Sequence, residues 1–122
     1  MIKTILLIVL GLFFVLNGIN HLFNTKTLAE YAHKRELFTF GIFSPELMVQ
    51  ISGIALIFGG LSLMTGILKI YGIIGLCLFL LVASFTIHSF WTEEDNEVRM
   101  LEAMNFAKNI AILTELAYIA TA

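Results

Sequence analysis

The stretch ELMVQISGIALIFGGLSLMTG (residues 46–66) is followed, after two residues, by KIYGIIGLCLFLLVASFTIHSF (residues 69–90). Neither carries an Asp, Glu, Lys or Arg beyond its first residue. A hydrocarbon core of roughly 30 Å takes about 20 residues of helix, so each stretch is long and apolar enough to cross a membrane. The connection is very short, which makes the pair an antiparallel hairpin. The start of the first helix is marked. Ser44 can cap it, Pro45 suits the first helical position because its missing N–H would be unpaired there anyway, and Glu46 complements the positive helix end. Ser52, Ala55, Gly59, Ser62 and Gly66 recur at spacings of 3, 4, 3 and 4, a seam along which helix backbones approach closely.

Two more stretches flank the hairpin. Ile2–Phe23 is apolar except near its two ends, and Ala103–Thr121 is apolar but interrupted by Lys108 and Glu115. The expected fold is all-α: an integral membrane, antiparallel four-helix bundle in a single transmembrane domain, 1–122. Its helices are expected over about 2–23, 46–66, 69–90 and 103–121, with polar loops at 24–45 and 91–102. The first stretch begins like a signal peptide, but it runs on to Phe23 without a small-residue cleavage site, so a retained helix is expected. Within 24–45, Thr27 and Glu30 match a capping box, and Leu28, Ala29, Tyr31, Ala32 and Leu37 could line a helix lying in the interface. The run Thr92–Glu102 holds five acids and one arginine and reads as a solvated loop. A face of Ala107, Ala111 and Thr114 gives the last helix its own close-packing surface.

Composition agrees. The 122 residues are 59% hydrophobic and 13% charged, about half the charge of a soluble domain, roughly 25%. A soluble core of this size could not hide so much apolar surface, so the expected surroundings are a lipid bilayer. A net charge of −2 with no basic block gives nucleic-acid binding no electrostatic support. Cys77 is the single cysteine, so no internal disulfide and no Cys-x-x-Cys exchange pair is available. Lys3 and Lys69 fall on one side of the membrane and Lys26, Lys34, Arg35 and Arg99 on the other, which leaves the orientation open.

The polar residues within the helices converge on one end. The first helix ends with Asn17, Asn20 and His21. The second begins with Glu46 and Gln50. The third ends with Ser84, His88 and Trp91, and the fourth begins with Asn105, Lys108 and Asn109. Antiparallel packing brings all four sets to one membrane side. Ionisable groups inside a membrane are costly and usually face a partner or a cavity. Candidate ligand-binding residues are therefore Asn17, His21, His88, Trp91, Asn105, Lys108 and Asn109, with no metal ligands and no catalytic residue assigned. Histidine and asparagine can hydrogen-bond the carbonyls and hydroxyls of a quinone-like head group, and Lys108 could offset the negative charge that reduction develops. Each also has a plainer role: interhelical hydrogen bonds for the asparagines, an interfacial anchor for Trp91, and a snorkelling side chain for Lys108. Glu115 stands apart, near mid-membrane. It and Gln50 are expected to be buried polar groups.

Gly18 and His21 within Asn-Gly-Ile-Asn-His-Leu, Gly41 and Pro45, the Gly59-Gly60 pair, His88-Ser-Phe-Trp91 and Asn105-Phe-Ala-Lys-Asn109 together resemble the DoxX family of small four-helix membrane proteins, over nearly the whole chain. Thr114-Glu115-Leu116 departs from that pattern, since relatives tend to carry small residues there. The resemblance implies a membrane redox association. Relatives include a subunit of an archaeal thiosulfate:quinone oxidoreductase. The expected function is thus a quinone-interacting or accessory subunit of a membrane oxidoreductase system in a prokaryotic plasma membrane, with quinone as ligand and a redox protein as partner. A second copy of the chain is also an allowed partner. The alternative is a non-enzymatic scaffold or assembly partner whose polar cluster is structural. A third possibility is metal or haem held by His21 and His88.

Overall fold

The apolar stretches form helices where their length predicts them. The computed structural model describes residues 1–34, 45–86, 88 and 90–121, without the side chains of 32–34, 45 and 86. Every element among these is helical: α1 (Ile2–Phe23), α2 (Thr25–Lys34), α3 (Pro45–Thr65), α4 (Lys69–Thr86), a 3-10 turn (Phe90–Thr92) and α5 (Asn96–Thr121). Three spans, Ile2–Phe23, Glu46–Thr65 and Lys69–Thr92, are long and apolar enough to cross a membrane. α5 is not among them, because Glu97, Arg99, Glu102, Lys108 and Glu115 interrupt it. The expected four-helix bundle is therefore met in part: an all-helical chain with three membrane-capable helices and five α-helices among the described residues.

Helix boundaries follow local chemistry. α3 starts at Pro45 with Glu46 in its first turn. It stops where Gly66 takes a φ of 79° and donates its N–H to the Ser62 carbonyl at 2.8 Å. Glycine enters this left-handed conformation without the clash that a Cβ brings. α2 begins at Thr25 rather than at the proposed Thr27 box. The Thr25 hydroxyl donates to the carbonyl of His21, 2.8 Å away, at the junction with α1. Ser44 and Leu37 lie outside the described residues. The acidic run expected as a loop is largely the start of α5. Asp95 accepts the Glu97 N–H at 3.0 Å on its side chain and the Arg99 N–H at 2.8 Å on its carbonyl, which makes it the helix cap.

α1 and α2 pack on α3, α3 on α4, and α4 on α5. Gly11 faces Gly60 while Gly18 faces Gly53, so α1 and α3 run antiparallel; Gly59 against Leu76 and Gly72 against Ser62 show the same for α3 and α4. Phe14, Leu56, Leu63, Ile73, Leu76, Leu80 and Leu116 form the buried core. Around it, Ile2, Leu6, Val9 and Leu16 of α1 and Ile74 and Leu78 of α4 are exposed. Water would not favour an apolar surface of this extent; lipid does.

Candidate functional site

The ends of α1 and α4 and the middle of α5 line a partly open cavity of about 130 Å³. α1 contributes Phe13, Phe14, Asn17 and His21, α3 Leu56, and α4 Phe79, Leu80 and Ala83; His88, Lys108, Asn109 and Ile112 complete the wall. Helical periodicity explains the polar share. Asn17 and His21 are four residues apart, one turn of the same face. Glu102, Asn109 and Leu116 are seven apart and form the buried stripe of α5. Asn109 is only 6% exposed, and its carboxamide has no hydrogen-bond partner among the described residues. Lys108, beside it, is exposed and borders the same cavity without a counter-charge among those residues.

Both histidines are held by one nitrogen. His21 Nδ1 lies 2.8 Å from Ser52 Oγ, and Ser52 Oγ lies 2.7 Å from the Val49 carbonyl oxygen. A hydroxyl has one proton. Given to Val49, it leaves Oγ to accept, so both hydrogen bonds form only when His21 carries its proton on Nδ1. Nε2 is then an acceptor with no hydrogen bond to a described residue. His88 Nδ1 donates to Glu102 Oε2 at 2.9 Å, and the Asn105 amide donates to Glu102 Oε1 at 3.3 Å. Glu102 is 1% exposed, so this carboxylate fixes the ring of His88 inside the protein and again leaves Nε2 unbonded to any described residue. Both histidines border the cavity. The arrangement offers acceptors at two imidazoles and donors at Lys108 and Asn109 around one small space. Among the described residues no three of His, Cys, Asp and Glu gather where they could hold a metal ion.

A model of the DoxX family matches residues 2–89. The chain belongs to the DoxX family. No curated protein and no solved structure matches it. The DoxX match includes His21, Ser52 and His88 and ends before α5, so it is narrower than the expected coverage of nearly the whole chain. Family membership and the three apolar helices make this an integral membrane protein.

Of the residues singled out in this DoxX chain, Asn17, His21, His88, Lys108 and Asn109 meet at the cavity. Asn17 spends its amide on the Phe13 carbonyl of its own helix, at 2.8 Å. Asn105 sits one layer away, on Glu102. Trp91 does not reach the cavity wall. It is 51% exposed and packs with Phe85, Phe90 and Phe106 at ring-centroid distances of 5.2–5.9 Å, because the 3-10 turn swings it outside α4. Gln50 and Glu115, expected to be buried, are both exposed. Their neighbours Val49 and Leu116 take the inward positions, and a step of one residue turns a side chain about 100° around a helix of 3.6 residues per turn. Ser84 is fully buried with no partner for its hydroxyl among the described residues. Ser52 and Glu102 were the polar residues missed. Glu102 carried a signal: it lies three residues before Asn105 and seven before Asn109, on their face.

Proposed function

We propose that this DoxX protein holds the head group of a quinone-like molecule in the cavity, as a quinone-interacting or accessory subunit of a membrane oxidoreductase system of a prokaryotic plasma membrane, with a redox protein as its partner. The observation that supports this is the Asn109 carboxamide, which has no hydrogen-bond partner among the described residues, in a cavity it shares with Lys108 and both histidines. A carboxamide that faces the cavity without a partner can gain a hydrogen bond worth roughly 0.5–1.5 kcal/mol from a ligand that accepts from it. Size fits too. A closed cavity of about 150 Å³ accepts benzene; this one, about 130 Å³ and open on one side, takes a six-membered ring whose substituents project through the opening. Ring carbonyls would accept from Asn109 and Lys108. The hydroxyls of the reduced ring would donate to the Nε2 atoms. The set therefore serves both redox forms, and Lys108 offsets the charge that develops between them.

The satisfied pairs His21–Ser52 and His88–Glu102 favour a second reading, a scaffold whose polar groups only pack. Asn109→Leu separates the two. It removes no hydrogen bond and nearly preserves volume, so the thermal midpoint should hold or rise. Calorimetric titration of the purified protein with a water-soluble, tail-less dimethoxymethylbenzoquinone should show about tenfold weaker binding, the loss of one hydrogen bond of about 1.4 kcal/mol. Lys108→Ala with His88→Ala should weaken it further. If these variants bind the quinone as wild type does and differ only in melting temperature, the scaffold stands and the quinone site falls.

A further inference from the structure

The cavity continues past its own wall. His21, Phe79, Ala83 and His88 also border a groove of about 700 Å³ along α3 and α4. Its end near the cavity is polar, with Ser52, Glu102 and Asn105. Beyond that it is apolar, lined by Ala55, Gly75 and Leu78. Ile51 and Leu78 are exposed, so the groove opens toward the lipid. Gly75 marks its far part: a Cβ placed there would meet nothing within 4 Å. From Ala83 to Gly75 the groove follows α4 for about 12 Å at 1.5 Å per residue.

Size and polarity assign the two spaces to one molecule. Pockets that enclose a drug-sized ligand measure about 300–1,000 Å³. The cavity is below that range and holds a ring at most; the groove is within it. The hydrogen-bonding groups lie at the cavity and its edge, and the apolar wall leads away from them. We infer that the groove holds the hydrocarbon tail of the ligand whose ring occupies the cavity, so that the ligand is a single-tailed amphiphile that enters sideways from the bilayer between α3 and α4. This rests on the cavity reading above.

The test titrates the purified full chain, in detergent at fixed micelle concentration, with two probes sharing the dimethoxymethylbenzoquinone ring, one without a side chain and one with a decyl chain. Gly75→Phe fills the groove from a position that does not touch the cavity. Micelle partitioning is common to both proteins and cancels in the comparison. The tail-less ring should bind wild type and Gly75→Phe within twofold of each other, while the decyl probe should bind Gly75→Phe at least tenfold more weakly. Ala55→Leu, which narrows the groove from the α3 side, carries the same expectation and guards against misfolding of the first variant. If the ring binds but the decyl probe ignores both substitutions, the tail assignment is overturned and the cavity reading survives. If neither probe binds wild type, the cavity reading fails and takes this inference with it.

Discussion

At the residue scale, the pairing of His88 with Glu102 sets how the site is built. Glu102 is nearly inaccessible, at 1% exposure, and its Oε2 takes the His88 Nδ1 proton at 2.9 Å. Truncating one partner strands the other in a low-dielectric interior, which is costlier than removing both. Glu102→Leu should therefore lower stability by roughly 1–3 kcal/mol, and His88→Leu in that background should restore part of the loss. A double-mutant cycle on chemical or thermal unfolding reads the coupling; strictly additive effects would show that the contact contributes nothing. This is also where the sequence was least legible. His21, His88 and Asn109 stand out because they interrupt apolar runs. Glu102 sits five residues after the last of four neighbouring acids, Glu93, Glu94, Asp95 and Glu97, so composition assigns it to a solvated loop. Only its position on the Asn105–Asn109 face separates it from them, and that counts only once the helix is known to start at Asn96.

At the element scale, the α1–α3 interface positions His21 against Ser52. Gly11 and Gly18 of α1 meet Gly60 and Gly53 of α3, each pair of glycines seven residues apart on its own helix. A Cβ at Gly18 would stand 2.6 Å from the Gly53 carbonyl oxygen, and one at Gly53 would stand 3.0 Å from the Gly18 carbonyl oxygen. Backbone cannot step aside as a side chain can. Gly60→Val should push the two helices apart, cost about 1–3 kcal/mol as overpacking does, and weaken binding of the tail-less ring, because the same displacement loosens the His21–Ser52 hydrogen bond. Gly75→Val, at a position with open space around it, should leave the melting temperature nearly unchanged. Equal losses from both would rule out close backbone approach as the cause. The sequence revealed a different seam. Ser52, Ala55, Gly59, Ser62 and Gly66 stand out at alternating spacings of three and four. Within that stripe Gly59 and Ser62 serve α4, through Leu76 and Gly72. The seam toward α1 is half on each helix, and neither half is a run in its own sequence.

At the scale of the whole molecule, the element to place is α5, too charged to rank with the three apolar spans and packed against α4 along the stripe of Glu102, Asn109 and Leu116. Its 26 residues measure about 39 Å at 1.5 Å per residue, more than a hydrocarbon core of roughly 30 Å. One end is fixed by Glu102 on His88. The other is fixed by Leu116, fully buried in the core cluster that also holds Leu63 and Ile73. α5 thus follows α4 antiparallel from the polar end to the hairpin end, and the expectation to test is that it crosses the membrane with α1, α3 and α4. Glu102 is paired and Lys108 borders the cavity, which leaves the exposed Glu115 as the charge that this crossing has to accommodate. Single cysteines in a Cys77→Ala background test it with a membrane-impermeant maleimide, applied to intact cells and to inverted vesicles. Lys26→Cys and Glu94→Cys should react from one side and Lys69→Cys from the other. Thr121→Cys should react with Lys69→Cys, giving a fourth crossing. Reaction of Thr121→Cys from the Lys26 side would place both ends of α5 on one face of the membrane. Its contacts with α4 would then have to break in the bilayer, and the cavity that Lys108 and Asn109 complete would lose that wall.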